Sequence, residues 1–320
     1  MIGQSAPMRR IMSWIERVAP SDFPVLITGE SGTGKEETAK LIHGLSRRKN
    51  APFIPVNCAA LPATLIESEL FGHEKGAFTG ADRRKPGLFE TADSGTLLLD
   101  EFTEMPCETQ AKLLRVLEDG RVLPVGGTKA VATNVRVLAA SNRNLEREIR
   151  SKRVREDLFH RLNVCEIRLL PLRERIEDLP LLVEEFLRKT NEKLGRRIGG
   201  VDDECLTALA RYRWPGNIRE LLHVIEGAAL RCDSATLTFH DLPPHIRGLD
   251  GQDGSFVVQV GDRVDDVVDE LVWRTVESVG NKTRAAKVLG IGLRTVYTRL
   301  EHRDGHGPDG RPRPRGNGRV

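Results

Sequence analysis

Two rhythms alternate along the first half of the chain. Met8, Ile11, Met12, Ile15 and Val18 recur at helical spacing, which predicts a helix over residues 8–18. Pro20 and Pro24 end it, and Val25-Leu26-Ile27-Thr28 then reads as a short buried strand. A glycine-rich stretch leads into a helical pattern from Glu36 to Leu45. Phe53–Asn57, Thr96–Leu99 and Val135–Ala140 have the apolar density of buried strands, separated by helical stretches such as Thr109–Glu118. Strands alternating with helices predict an α/β layer fold around a largely parallel sheet.

Past Pro171 the strand rhythm stops. Residues 175–195 and 202–231 contain only helical patterns, interrupted at Trp214-Pro215-Gly216. The expected organisation is an α/β part over 1–170, a helical subdomain over 171–247, a linker over 248–263, a helical unit over 264–301, and a disordered basic tail over 302–320.

Charge supports a second kind of partner at the C-terminal end. Residues 281–320 hold ten Lys/Arg against three Asp/Glu, a local balance of +7 in a chain whose net charge is +3. A mildly acidic body joined to a basic end suits an enzyme-like domain tied to something that meets a polyanion. Five scattered cysteines without a Cys-x-x-Cys pair exclude a disulfide framework and a structural zinc site, and no apolar run approaches membrane-spanning length. The N-terminus has no secretion signal, so a cytoplasmic location is expected.

The chemistry begins at Gly29-Glu30-Ser31-Gly32-Thr33-Gly34-Lys35, set between a strand and a helix. Glycines let backbone N–H groups turn toward phosphate, the helix N-terminus adds positive potential, and Lys35 reaches the terminal phosphates. The next residue is Glu36, not Ser or Thr, so the usual hydroxyl ligand to Mg²⁺ is missing and the metal must rely on phosphates, water and carboxylates elsewhere. Asp100 and Glu101 close the apolar strand Thr96–Leu99. One acid there is placed to hold hydrated Mg²⁺ and the next to polarise an attacking water. Residues alone thus imply hydrolysis of ATP or GTP.

Gly76-Ala77-Phe78-Thr79-Gly80-Ala81 puts one aromatic and one hydroxyl between glycines, as in a flexible loop tip. With the phosphate loop and the acid pair, the sequence resembles the bacterial sigma-54-dependent transcriptional activators, AAA+ ATPases, over about residues 2–245 and 265–301. The resemblance implies a P-loop AAA+ sheet with a helical lid, ATP and Mg²⁺ as ligands, and the hexapeptide as the contact to sigma-54. By the same resemblance, Asn57 restrains the catalytic glutamate, Asp100 binds Mg²⁺ and Glu101 activates water. Asn142 senses the γ-phosphate, with Ser141 standing where Thr is usual. Arg155 and Arg161 reach the neighbouring subunit's ATP, and Arg219, in Trp-Pro-Gly-Asn-Ile-Arg-Glu-Leu, senses nucleotide from the lid. Sites shared between subunits imply a hexamer, of one gene product or two. The chain opens directly on the match, so no N-terminal regulatory domain is expected, and control would fall to expression level or to a separate regulatory protein.

In the C-terminal unit Ala285, Ala286 and Leu289 line one short helix, Gly290 breaks it, and Leu293, Val296 and Leu300 line the inner face of a second. Small residues before a glycine turn and a basic outward face form a helix-turn-helix signature, similar to the Fis-type domain of the same family. Lys282, Thr283, Arg284, Arg294, Thr295, Tyr297 and Arg299 are the expected contacts to double-stranded DNA. Val267, Val268, Leu271 and Val272 form an apolar stripe suited to dimerisation. The reading is an ATP-driven activator that binds upstream DNA and remodels sigma-54 RNA polymerase. A related regulator without sigma-54 contact would be expected to have lost the intact hexapeptide, and an unrelated AAA+ remodeller would lack both it and the Fis-like end.

Overall fold

Strand residues alternate sides and helices bury one stripe, so the two rhythms sort into layers. The computed structural model describes residues 2–247, 258 and 263–304. Helix α1 (Ala6–Val18) leads into β1 (Val25–Thr28), α2 (Lys35–Gly44), β2 (Phe53–Asn57) and α3 (Ala63–Phe71). A hairpin of β3 (Gly72–His73) and β4 (Lys85–Pro86) precedes α4 (Leu88–Thr91), β5 (Thr96–Asp100) and α5 (Cys107–Asp119). A second hairpin, β6 (Arg121–Val122) and β7 (Val131–Ala132), is followed by β8 (Arg136–Ser141), α6 (Leu145–Arg150), α7 (Glu156–Leu162) and β9 (Cys165–Arg168). Helices α8 (Leu179–Leu194), α9 (Asp203–Arg211) and α10 (Asn217–Arg231) follow without further strands.

Five parallel strands form one sheet in the order β2-β5-β8-β1-β9. Leu97 and Leu99 point to a core shared with α3, α5 and α7, while Leu98 points to the opposite core beneath α1 and α2. The register sets Asn57 beside Asp100, and Thr28 beside Ser141. The ends of β1, β5 and β8 therefore converge on one edge, where this type of sheet presents its ligands.

The expected strands and helices are present with bounds shifted by a residue or two. Each edge strand buries a single residue, Val56 in β2 and Ile167 in β9, so the buried strand expected at Phe53–Asn57 is instead a half-exposed edge, and β9 escaped sequence reading. The two hairpins escaped because strands of two residues carry no period. One buried charge serves the fold: Arg136, 1% exposed, donates to the carbonyls of Ala19 (2.5 Å), Val18 (3.0 Å) and Phe23 (3.3 Å), closing the C-terminal end of α1.

The chain divides into two units, Met1–Asp241 and Leu242–Val320. The second holds α11 (Val264–Val279), α12 (Lys282–Leu289) and α13 (Leu293–Asp304) around Val272, Ala286 and Val296. Leu289 and Leu300 pack against that core as expected, but Leu293 stays 39% exposed and is not an inner-face residue. Of the stripe read as a dimer face, Val268 and Val272 go into this unit's own core, and Leu271 remains exposed. Asn281 caps α12 by accepting from the amides of Thr283 and Arg284, and Gly290 ends it with a left-handed φ of +67°. Most of the linker read at 248–263 and residues 305–320 of the tail lie outside the described residues. Among the described residues no helix is long and apolar enough to cross a membrane.

Candidate functional site

The phosphate loop joins β1 to α2, and its shape is dictated by how closely other backbone approaches it. Gly32 has φ +77°, and a Cβ there would stand 2.2 Å from the Gly216 carbonyl. Gly34, at φ +98°, is the N-cap of α2, so the helix opens directly behind the loop with its free amides facing the cavity. Thr33 and Lys35 are buried. Lys35 donates to the carbonyls of Gly29 (3.1 Å) and Glu30 (3.4 Å), and its Nζ lies 3.6 Å from Glu101 Oε1.

Glu101 follows the last residue of β5 in a left-handed conformation, φ +51°, which a non-glycine residue adopts only where its surroundings hold it. Its other oxygen accepts from the Asn142 amide at 3.2 Å, so β5, β8 and the phosphate loop all meet at this carboxylate. Asp100 stands next to it and accepts from the Glu101 amide at 3.1 Å. Asn57 lines the same cavity, but its Oδ1 accepts from the amides of Ala59 (2.9 Å) and Ala60 (3.3 Å). The partners of Glu101 are thus Lys35 and Asn142. Burial, and then the charges of Asp100 and Glu101, push the neighbouring Cys58 thiol up to about 12, so it stays protonated and inert.

These groups line a cavity of about 740 Å³ that takes in Ser31–Glu37, Asn57, Asp100, Glu101 and Arg219. Apolar Ile2, Leu182, Phe186, Ile218 and Leu222 line it too, with Glu185 and Lys189 of α8 among them. Phosphate donors and apolar side chains lining one cavity suit a nucleotide. The wall from α8 was not legible in sequence, since Leu182 and Phe186 read simply as lid core. Arg175 was missed as well: 2% exposed, it lines the cavity and donates to the Thr33 carbonyl at 3.2 Å. Arg219 reaches Ser31 Oγ at 3.2 Å, so the lid touches the loop. Trp214, fully buried with φ +54°, donates to the Leu209 carbonyl and sets the turn from which α10 starts.

Arg155, the N-cap of α7, and Arg161, within α7, are exposed and do not line this cavity. Arg155 pairs with Asp157 at 2.7 Å, and Arg161 donates to the Leu117 carbonyl at 3.0 Å. The hexapeptide Gly76–Ala81 occupies the tip of the β3–β4 hairpin. Its fold is a self-contained turn: the amide of Gly76 donates to the Ala81 carbonyl (2.8 Å) and that of Ala81 to the Phe78 carbonyl (3.0 Å). Phe78 is 42% exposed, with its ring edge-on to His73 at 4.8 Å. The Glu74 amide donates to the Val125 carbonyl (3.0 Å), so the second hairpin braces the base of the first.

Residues 1–168, more than half of the chain, match the sigma-54 interaction domain family. The chain belongs to that family. Residues 173–255 match the AAA+ ATPase lid domain and 277–302 the Fis family of bacterial regulatory proteins. The chain is therefore an AAA+ ATPase of the sigma-54 activators with a Fis-type helix-turn-helix. It is 43% identical to the transcriptional regulatory protein FlbD of Caulobacter vibrioides, covering 94% of this chain and 70% of that one. It is 44% identical to the regulatory protein AtoC of Escherichia coli (94% and 67%) and 44% to the Nif-specific regulatory protein of Azotobacter vinelandii (94% and 58%). Among solved structures, NtrX from Brucella abortus superposes with a TM-score of 0.75 at 35% identity, covering 94% of this chain and 68% of that one. A structure of NtrX in complex with ATP gives 0.73 at 35% identity, with the same coverage.

The activator's helix-turn-helix presents Lys282, Thr283, Arg284, Arg294, Thr295 and Tyr297 as exposed residues. Lys282 lies 4.6 Å over the Tyr297 ring. Arg299 departs from the expected set: it is engaged with Asp265 (2.8 Å) and Asp269 (3.1 Å) on α11, where it braces the unit. Its place on the face away from the turn, together with two acids one helical turn apart, was beyond what outward-face counting could show.

Proposed function

We propose that this activator hydrolyses ATP in a ring of subunits, probing sigma-54 on RNA polymerase with the Gly76–Ala81 loops while the Fis-type unit holds upstream DNA. The observation that carries the reading is an intact hexapeptide on an exposed, self-bonded hairpin tip in the same unit as the phosphate loop with its Lys35 and the acid pair. Lys35 and Glu101 then divide the work. Their side chains stand 3.6 Å apart, cation against base. A γ-phosphate competing for Lys35 releases the Glu101 carboxylate to take a proton from water, so the base becomes available only when substrate is bound. The Asn142 amide keeps that carboxylate aimed across the cavity.

Asp100 and Glu101 line the cavity beside the loop, with Glu36 and Glu37 at the start of α2, and this all-oxygen donor set fits a hydrated Mg²⁺ whose shell the phosphates and water would complete. When bound, that ion would neutralise charge developing on the phosphoryl oxygens. Arg155 and Arg161 are exposed and do not line their own cavity, and exchanging their bonds to Asp157 and the Leu117 carbonyl for a neighbour's phosphates would make turnover depend on assembly. Asn57, bonded to its own loop, stands one strand from Asp100 and can exchange those bonds for Glu101 on a change of state.

The test is transcription from a sigma-54 promoter with purified polymerase and ATP, wild type beside Phe78→Ala. Transcript from wild type alone, with ATP turnover continuing in both, supports the reading. Equal transcript from both removes the loop from it.

A further inference from the structure

Three consecutive residues of the phosphate loop are held by the lid side of the molecule. The Gly32 carbonyl accepts from the amides of Ile218 (3.0 Å) and Arg219 (3.3 Å), in the first turn of α10. The Ser31 carbonyl accepts from Asn217 Nδ2 at 3.0 Å. The Glu30 carboxylate accepts from the same Nδ2 at 3.2 Å and from both terminal nitrogens of Arg173, at 2.8 and 2.5 Å. Asn217 Oδ1 meanwhile accepts from the Leu172 amide at 2.8 Å, in the segment that leads from β9 to α8.

Asn217 is fully buried and left-handed, with φ +52°. That conformation disfavours most side chains and is best tolerated by Gly, Asn and Asp. Of these three, only Asn can donate to the loop and accept from the hinge at once. The Arg173–Glu30 pair is about half exposed on both sides, so it adds direction more than energy. The buried amide is the dominant element, because its loss leaves the Leu172 amide and the Ser31 carbonyl without these partners.

We infer that Asn217 is a positioning residue for ATP binding: it ties the phosphate loop and the hinge to the first turn of α10, so the loop keeps its phosphate-accepting shape only while the lid is seated. Arg173 and Glu30 form the outer half of the same clamp. The clamp acts through residues 30–32 and sets nucleotide affinity, leaving the chemical step to Glu101. This rests on the reading of Gly29–Lys35 as the phosphate site.

Asn217→Gly tests it, since glycine keeps the left-handed backbone and deletes the side-chain bonds. Titration with a fluorescent ADP reads affinity without turnover. The expected result is a Kd raised about tenfold, a parallel rise in KM for ATP, and kcat at saturation within about threefold of wild type. Asn217→Asp keeps the acceptor for Leu172 but sets two carboxylates together; adding Glu30→Gln supplies a donor between them and is expected to recover most of the affinity lost. A merely structural asparagine gives no such recovery. A Kd within twofold of wild type in Asn217→Gly, or a loss in Asn217→Asp that Glu30→Gln leaves untouched, overturns the proposal. Should Asn217→Gly show no cooperative melting, the exposed variant Arg173→Gln decides, with a Kd rise of about threefold expected and an unchanged Kd overturning the clamp. A wild type that binds no fluorescent ADP overturns the ATP reading instead.

Discussion

Two glycine-rich loops in this chain share left-handed backbone and differ in what surrounds it. In the phosphate loop a Cβ on Gly32 would meet the Gly216 carbonyl at 2.2 Å, and one on Gly29 would meet the Leu169 carbonyl at 2.9 Å. In the hexapeptide loop a Cβ on Gly76 or Gly80 would meet nothing within 4 Å, yet both residues have positive φ, +81° and +96°. Both loops turn left, since Gly32 and Gly34 also have positive φ, +77° and +98°, but only the first is in addition pressed by other backbone, at Gly29 and Gly32. A pressed loop is rigid and holds phosphate in one geometry. A loop that touches little can move without breaking a core, which suits a tip that must engage a second protein.

The comparison can be broken at several points. The largest effect is expected at the base: Glu101→Gln should bind ATP and lower kcat by about 10²–10⁴-fold in a steady-state ATPase assay. Normal turnover would remove Glu101 from the chemistry. Gly32→Ala should cost roughly 100-fold or more in affinity for fluorescent ADP, because backbone on both sides must separate to admit the methyl. Gly76→Ala sharpens the contrast, since only conformational strain of about 1 kcal/mol is at stake. ADP affinity should stay within twofold while sigma-54-dependent transcript falls, and a loss of ADP binding there would collapse the distinction between the loops.

The smallest effect concerns Cys58. Its folded-state value of about 12 lies above the ordinary 9.0, so an unfolded chain releases this proton first. Its contribution to stability is intact below about pH 9 and declines as pH rises toward 12. At neutral pH Cys58 should resist alkylation while the exposed Cys107 reacts, as mass mapping after brief iodoacetamide treatment would read.

Much of this protein is legible in its residues alone. Strand and helix rhythms are written in neighbouring residues, because alternation and the helical repeat follow from backbone sterics within a few positions. The phosphate loop and the acid pair were legible for the same reason, each being a short local arrangement at the end of a strand. Partners of polar side chains were not. Glu101 faces Lys35, Arg299 turns back to Asp265 and Asp269, and the Asn57 side chain accepts from its own loop, though charge and spacing alone gave each several possible neighbours. Leu293 looked inward by spacing and stands exposed, since a three-helix unit this small has room for few residues inside.

The α/β layering, the phosphate grip, the acids and the hexapeptide were all legible in local stretches of the chain, whereas the strand order was not. Tertiary structure alone decided that α8 walls the cavity, that Arg175 lies beneath the loop, and that Asn217 reaches back across 186 positions of chain to Ser31. Local periodicity reflects forces acting within one element, whereas a buried amide takes whichever partners the packing of distant elements brings within hydrogen-bonding reach.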